Sequence, residues 1–255
     1  MDQQFLISLF VGIAVGAASG FLGAFMILKR MALVGDALTH VALPGIGLAL
    51  LFNINPFIGA FVLLFLAMIL IWKLEQYTNL SIETLTGILF SASLAIGILI
   101  TPELELYEAL FGDIYKVSLA DGIIALVSAA VIFIVMSKIS NKMLLGIISE
   151  DIAASSGIKV RVTNFIFLFL VAAIVALGVK VVGTLLMGAL VIIPAAAAKN
   201  ISKSFKKYGF YSAVFGLVSA GAGIYFSKIS GIPPGPAVVL ASVAFFLISL
   251  VFKKK

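Results

Sequence analysis

The sequence predicts an all-α polytopic transmembrane protein of about eight to nine spans, and three observations carry that prediction. Of the 255 residues, 63% are hydrophobic and only 11% are charged, with a mean hydropathy of +1.26. A soluble domain of this length has too little interior to hide so much apolar surface, so lipid must be the solvent for most of the chain. The apolar residues fall into runs of roughly twenty, the length one helix needs to cross a bilayer. The seventeen Lys and Arg residues sit in short clusters between those runs. Such clusters orient a membrane protein, whereas a nucleic acid would call for one continuous basic face. With no heptads, low-complexity tract or long linker, residues 1–255 read as a single transmembrane domain.

In chain order, the spans are expected near 5–28, 33–52, 56–72, 84–101, 119–137, 163–180, 183–198, 209–227 and 235–252. The opening MDQQ lacks the basic region of a secretory signal, and 5–28 is too long for a signal core, so it reads as a retained span. It carries Gly12, Gly16 and Gly20 at intervals of four, with Ser19 and Ala24 nearby. This is a smooth face on which another helix backbone can pack closely, and Gly216, Ala220 and Gly223 repeat the theme. Pro44 and Pro194 should interrupt their spans, which is tolerated where the backbone faces a cavity or a protein neighbour. The run 163–198 is long enough for two crossings, but its middle (Gly178, Lys180, Gly183) leaves almost no loop, so one member is expected to be short or re-entrant. PPGP at 233–236 ends a loop and starts the last span.

Charge sets the orientation. If Lys29 and Arg30 are cytoplasmic, alternation places fourteen of the seventeen basic residues inside and leaves only Lys116, Lys180 and Lys228 outside. Nine crossings then put the N-terminus outside and the terminal KKK inside. The expected location is the cell membrane (inner or plasma membrane), crossed many times.

The stretch MALVGDALTHVALPGIG (31–47) holds the chemistry. Asp36 and His40, the only histidine, stand one helical turn apart and share a face. A charge at mid-membrane costs about 2.5–3.5 kcal/mol, so such residues usually line a pathway or pair with something. Pro44 has no N–H to offer the His40 carbonyl, which adds an oxygen to the carboxylate and imidazole. That donor set suits zinc, manganese or iron(II), while the absence of cysteine removes thiolate sites and argues against copper(I). Alternatively, Asp36 caps a helix start and His40 is a satisfied interior residue. Two ligands are too few for a closed site, so the rest would come from a second copy, another span, backbone carbonyls or water.

Two loops stand out. Thr101 to Asp113 holds Glu103, Glu105, Glu108 and Asp113 without a basic residue. This is either an acidic mouth that concentrates cations, with Glu103 and Asp113 as secondary metal candidates, or a solvated loop. In Ser149 to Val160, Ser149 suits a helix cap, Glu150 and Asp151 its first turn and Gly157 its end, with Ile152 and Ala153 between. A short amphiphilic helix over 149–159 at the inner face is a docking element by default. No GxxxxGKS/T phosphate loop, HExxH or GxSxG is present, so neither ATP hydrolysis nor intramembrane hydrolysis is expected of this chain.

The chain resembles the membrane permease subunits of ABC-type importers for zinc, manganese and iron(II). The similarity covers nearly its whole length. The most specific piece is RMALVGDALTHVALPGIGLAL (30–50). Further matches are LSIETLTGILFS (80–91), LFGDI (110–114), SEDIAASSGI (149–158), VVGTLLMGALVIIPAAAAK (181–199) and GIPPGPAVVL (231–240). Ile82-Glu83 departs from the family, where many members read Glu-Asp after the serine. The resemblance implies a fold related to the cobalamin and siderophore permeases and a homodimer with the pathway between or beside the two copies. It also implies ATPase subunits docked inside on 149–159, a metal-loaded binding protein docked outside, no permanently bound cofactor and no nucleic-acid partner. Two rival functions stay open: the same architecture carrying a siderophore, haem or cobalamin, and a proton-coupled transporter using Asp36 and His40 as a relay.

Overall fold

In the computed structural model, residues 3–78, 80–102, 109–110 and 118–252 are described. They form ten helices and no strand: α1 (Gln3–Leu28), α2 (Ala32–Leu51), α3 (Pro56–Tyr77), α4 (Ile82–Ile100), α5 (Leu119–Ile148), α6 (Glu150–Ser155), α7 (Val160–Val182), α8 (Thr184–Ile201), α9 (Phe205–Ser230) and α10 (Pro234–Val251). Eight of them are long and apolar enough to span a membrane, and α8 is a shorter apolar helix.

Local chemistry sets the helix ends. At the end of α1 the Met31 N–H donates to the Met26 carbonyl (2.8 Å) and the Arg30 N–H to the Ile27 carbonyl (3.2 Å). This double closure needs a left-handed residue, and Arg30 takes that place with φ 59°. Asn53 (φ 54°) does the same after α2, and the Asn55 side chain then caps α3 by accepting from the Phe57 N–H at 2.9 Å. Pro56 fills the first position of α3, where its missing N–H costs nothing. PPGP behaves as expected, with Pro233 at the cap and Pro234 opening α10.

The two glycine stripes read from the sequence meet each other. Gly16 and Gly20 of α1 lie against Gly216 and Ser212 of α9, backbone to backbone. The two helices are antiparallel: Lys228 near the end of α9 sits 4.0 Å over the ring of Phe5, and Phe205 at its start packs edge-on to Phe25. Lys29, just past α1, bonds to Asn164 of α7, so α7 begins on the face where α1 ends. Asn200 near the end of α8 bonds to Ser249 near the end of α10 at 2.9 Å, so α8 returns to that same lysine-rich face. The pair α7–α8 therefore leaves and comes back, with the single residue Gly183 (φ 86°) as its turn.

Two expectations need correction. The fifth span, expected over 119–137, belongs to a helix that runs on to Ile148. The polar stretch from Ser137 to Lys142 ends the apolar run, but it contains no Gly or Pro that would end a helix. Pro44 and Pro194 do not break α2 or α8. One lost hydrogen bond is tolerated there because the turn is supported by neighbours: Gly97 of α4 lies against Pro44, and Gly45 against the backbone of Gly59 in α3.

The interior is uneven. The apolar stretch of α2 is 72% buried within the chain, against 22% for α4 and 28% for α3 and α5. Thus α2 belongs to the interior, while most of the surface of α3, α4 and α5 is left uncovered by the other described residues of the chain. Helix α8 packs against α1, α2, α7, α9 and α10, and its Met187, Leu190, Val191, Ala195 and Ala198 are fully buried.

Candidate metal-transit site

The Asp–His pair stands on α2, the most buried of the candidate spans. Asp36 lies one turn inside the helix start, where the Thr39 hydroxyl donates to its backbone carbonyl at 2.6 Å. The N-cap position is Met31, without a side-chain cap, so Asp36 is free of the capping role that the sequence left open. Its side chain is wedged against α8: a Cβ on Gly188 would lie 2.5 Å from Asp36 Oδ1 and 2.6 Å from its Cα. Glycine at 188 is what allows a carboxylate between two interior helices.

His40, near the middle of α2, is only 8% exposed. Its ring meets the edge of Phe90 on α4 at a centroid distance of 5.1 Å. Its Nδ1 is buried and has no hydrogen-bond partner among the described residues. An unmet buried donor or acceptor costs about 1–3 kcal/mol, so this ring is not the satisfied interior histidine of the simpler reading. Asp36 is close enough for its charge to act on the imidazole. On one side of α2, His40 is buried against α4, and one turn away the half-buried Asp36 lies against α8. Among the described residues no group of three or more His, Cys, Asp or Glu converges on the pair.

Of the other predicted residues, Glu103, Glu105, Glu108 and Asp113 lie outside the described residues. The segment expected to dock a partner forms the short helix α6, with the Ser149 hydroxyl accepting from the Ile152 N–H at 3.3 Å and Glu150 and Asp151 in its first turn. Gly157 (φ 77°) closes it, its N–H donating to the Ala154 carbonyl and that of Ile158 to the Ala153 carbonyl, both at 3.0 Å. Ala153 is fully buried, while Ile152 is exposed. Between α6 and the start of α7 lies a pocket of about 490 Å³ bordered by Glu150, Asp151, Lys159 and Arg161.

Gly188 and Phe90 were missed by the sequence reading. Gly188 carried a signal, a glycine inside an apolar run, which marks close approach of another element. Phe90 carried none, because the chain holds twenty-one phenylalanines and nothing local separates this one.

Comparison with known proteins agrees with this architecture. Residues 1–253 match the model of the ABC 3 transport family. The chain is 33% identical to the high-affinity zinc uptake system membrane protein ZnuB of Buchnera aphidicola subsp. Baizongia pistaciae, over 98% of each chain. It is 31% identical to the manganese transport system membrane protein MntC of Listeria innocua, covering 97% of this chain and 90% of the relative. Among solved structures, PsaBC from Streptococcus pneumoniae in complex with Fab superposes with a TM-score of 0.86 at 30% identity, covering 98% of this chain and 91% of that one. A metal-chelate type ABC transporter in an inward-facing conformation shares the fold, with a TM-score of 0.77 at 19% identity over 98% of this chain and 87% of that one. The chain is a multi-pass membrane protein and belongs to the ABC 3 transport family.

Proposed function

We propose that this chain is the permease of an ATP-driven importer of a divalent transition metal ion, and that Asp36 and His40 form one copy's half of a transit site. The observation that carries the reading is the buried Nδ1 of His40, without a hydrogen-bond partner among the described residues and one turn from Asp36, in a chain whose relatives are named for zinc uptake and manganese transport. A cargo must be held weakly enough to leave, and two ligands per chain suit transit better than storage. A second copy of the chain, backbone carbonyls and water supply the remaining ligands. Carboxylate and imidazole serve zinc, manganese and iron(II) alike, so metal choice is set by the protein that delivers the ion.

The lysine-rich face is cytoplasmic in this reading. There α6 docks a separate ATPase subunit, because this chain carries no phosphate loop. The binding protein delivers metal to the opposite face, where Glu103 and Asp113 concentrate cations. ATP binding in the partner shifts the balance between two packings of the helices.

The test is uptake of radioactive zinc or manganese by the assembled complex. Asp36→Ala and His40→Ala each abolish uptake while the complex still assembles. Normal uptake by both variants refutes the site, and accumulation driven by a proton gradient without ATP refutes the importer.

A further inference from the structure

Lys29 is the first residue past α1, and it is drawn inward, onto α7. Its ammonium donates to Asn164 Oδ1 of α7 at 2.5 Å and stands 5.7 Å from the ring centre of Phe167, also on α7. The carboxylates of Glu75, in the last turn of α3, and Glu150, the first residue of α6, both act on it. Burial pushes the Lys29 ammonium below the usual lysine range, and these two carboxylates push back. A lysine on a helix end would ordinarily reach into water or headgroups. This one is turned into the protein, onto the first turns of α7.

The turn that follows has no slack. Arg30 and Met31 are the only residues between Lys29 and α2, and both are locked by the double closure onto Ile27 and Met26. Met31 is itself fully buried. Asp36 comes seven positions after Lys29 on the rigid helix that follows. A partly desolvated ammonium is costly to leave without its partner, so the group follows the Asn164 acceptor when it moves.

We propose that Lys29 is a positioning residue for transport, tying the start of α7, which follows docking helix α6 after four residues, to the turn that carries α2, so that a displacement of α6 is passed through α7 to Asp36 and His40. The inference rests on the reading of α6 as the ATPase-docking element. It assigns no contact with metal to Lys29.

The experiment uses the complete transporter, with its ATPase and binding protein, in liposomes, and reads metal transported per ATP hydrolysed. Lys29→Met keeps the apolar stem and removes the charge. It is expected to leave ATP hydrolysis at the wild-type rate while the transport-to-hydrolysis ratio falls about tenfold. Lys29→Arg keeps the charge and restores the ratio. Asn164→Ala removes only the acceptor and lowers the ratio in the same direction, which decides the matter if the methionine variant does not assemble. A wild-type ratio in both Lys29→Met and Asn164→Ala overturns the proposal. So does a parallel loss of hydrolysis and uptake that arginine fails to rescue. A wild-type complex without ATP-driven metal uptake would instead overturn the function proposed above, so the two failures are distinguishable.

Discussion

Where α1 crosses α9, glycine faces backbone: Gly16 and Gly20 lie against the carbonyls of Gly216 and Ser212, with the small Ala220 methyl beside them. Where α2 crosses α8, Gly188 faces the Cα and the carboxylate of Asp36. The same residue type brings helices close in both places, with different results. In the first, closeness is the purpose, since packing between helices in lipid rests on van der Waals contact rather than on exclusion of water. In the second, the space that glycine leaves is filled by a group that is expensive to hold inside a membrane. A glycine stripe therefore marks a seam in one region and the wall of a site in the other, and what lies across from it decides which.

Substitution at the seam should break the comparison most visibly. A Cβ at Gly20 collides with the Ser212 carbonyl, which cannot swing aside as a side chain would. Gly20→Val is expected to lower stability by about 3 kcal/mol, the upper end of overpacking costs, and to reduce the amount of folded protein. Thermal unfolding in detergent checks this, and uptake per folded molecule should stay near wild type. The site residues should show the reverse, with Asp36→Ala losing uptake and keeping its unfolding temperature.

Gly188→Ala is the intermediate case. Its methyl would meet both the Asp36 carboxylate and the Asp36 backbone, so uptake per molecule and stability should both fall, the latter by about 1–3 kcal/mol. If stability alone fell, α2–α8 would be a seam like α1–α9.

The smallest effect is expected at Arg30. A left-handed conformation costs a non-glycine residue roughly 1–2 kcal/mol, and glycine removes that cost while giving the unfolded chain more freedom. Arg30→Gly should therefore stabilise the protein by about 0.5 kcal/mol, seen as a small rise in unfolding temperature, without changing the seam or the site.

Much of this was legible in the chain. Caps and turn residues announced α6, the start of α10 and the tight α7–α8 junction, because a hydroxyl cap, a proline at a first turn and a glycine at positive φ act through neighbours a few residues away. The end of α5 was misread for the same reason: hydropathy reports where lipid contact stops, whereas helix hydrogen bonding continues until something interrupts it. The pairing of Asp36 with His40 was visible because helical periodicity alone puts positions four apart on one face. The glycine intervals likewise showed that α1 and α9 each had a smooth face.

Membrane class, span lengths, helix ends and the Asp–His register were thus determined by the sequence itself, each depending on composition or on residues within one or two turns. Only the tertiary structure decided that the two smooth faces meet each other, that α8 is the short buried helix, that Gly188 receives Asp36, that Phe90 edges His40 and that Lys29 turns onto Asn164 and Phe167. The physical reason is that periodicity orients a side chain about its own helix axis but says nothing of which other helix lies opposite. That choice is made by the packing of all the helices at once.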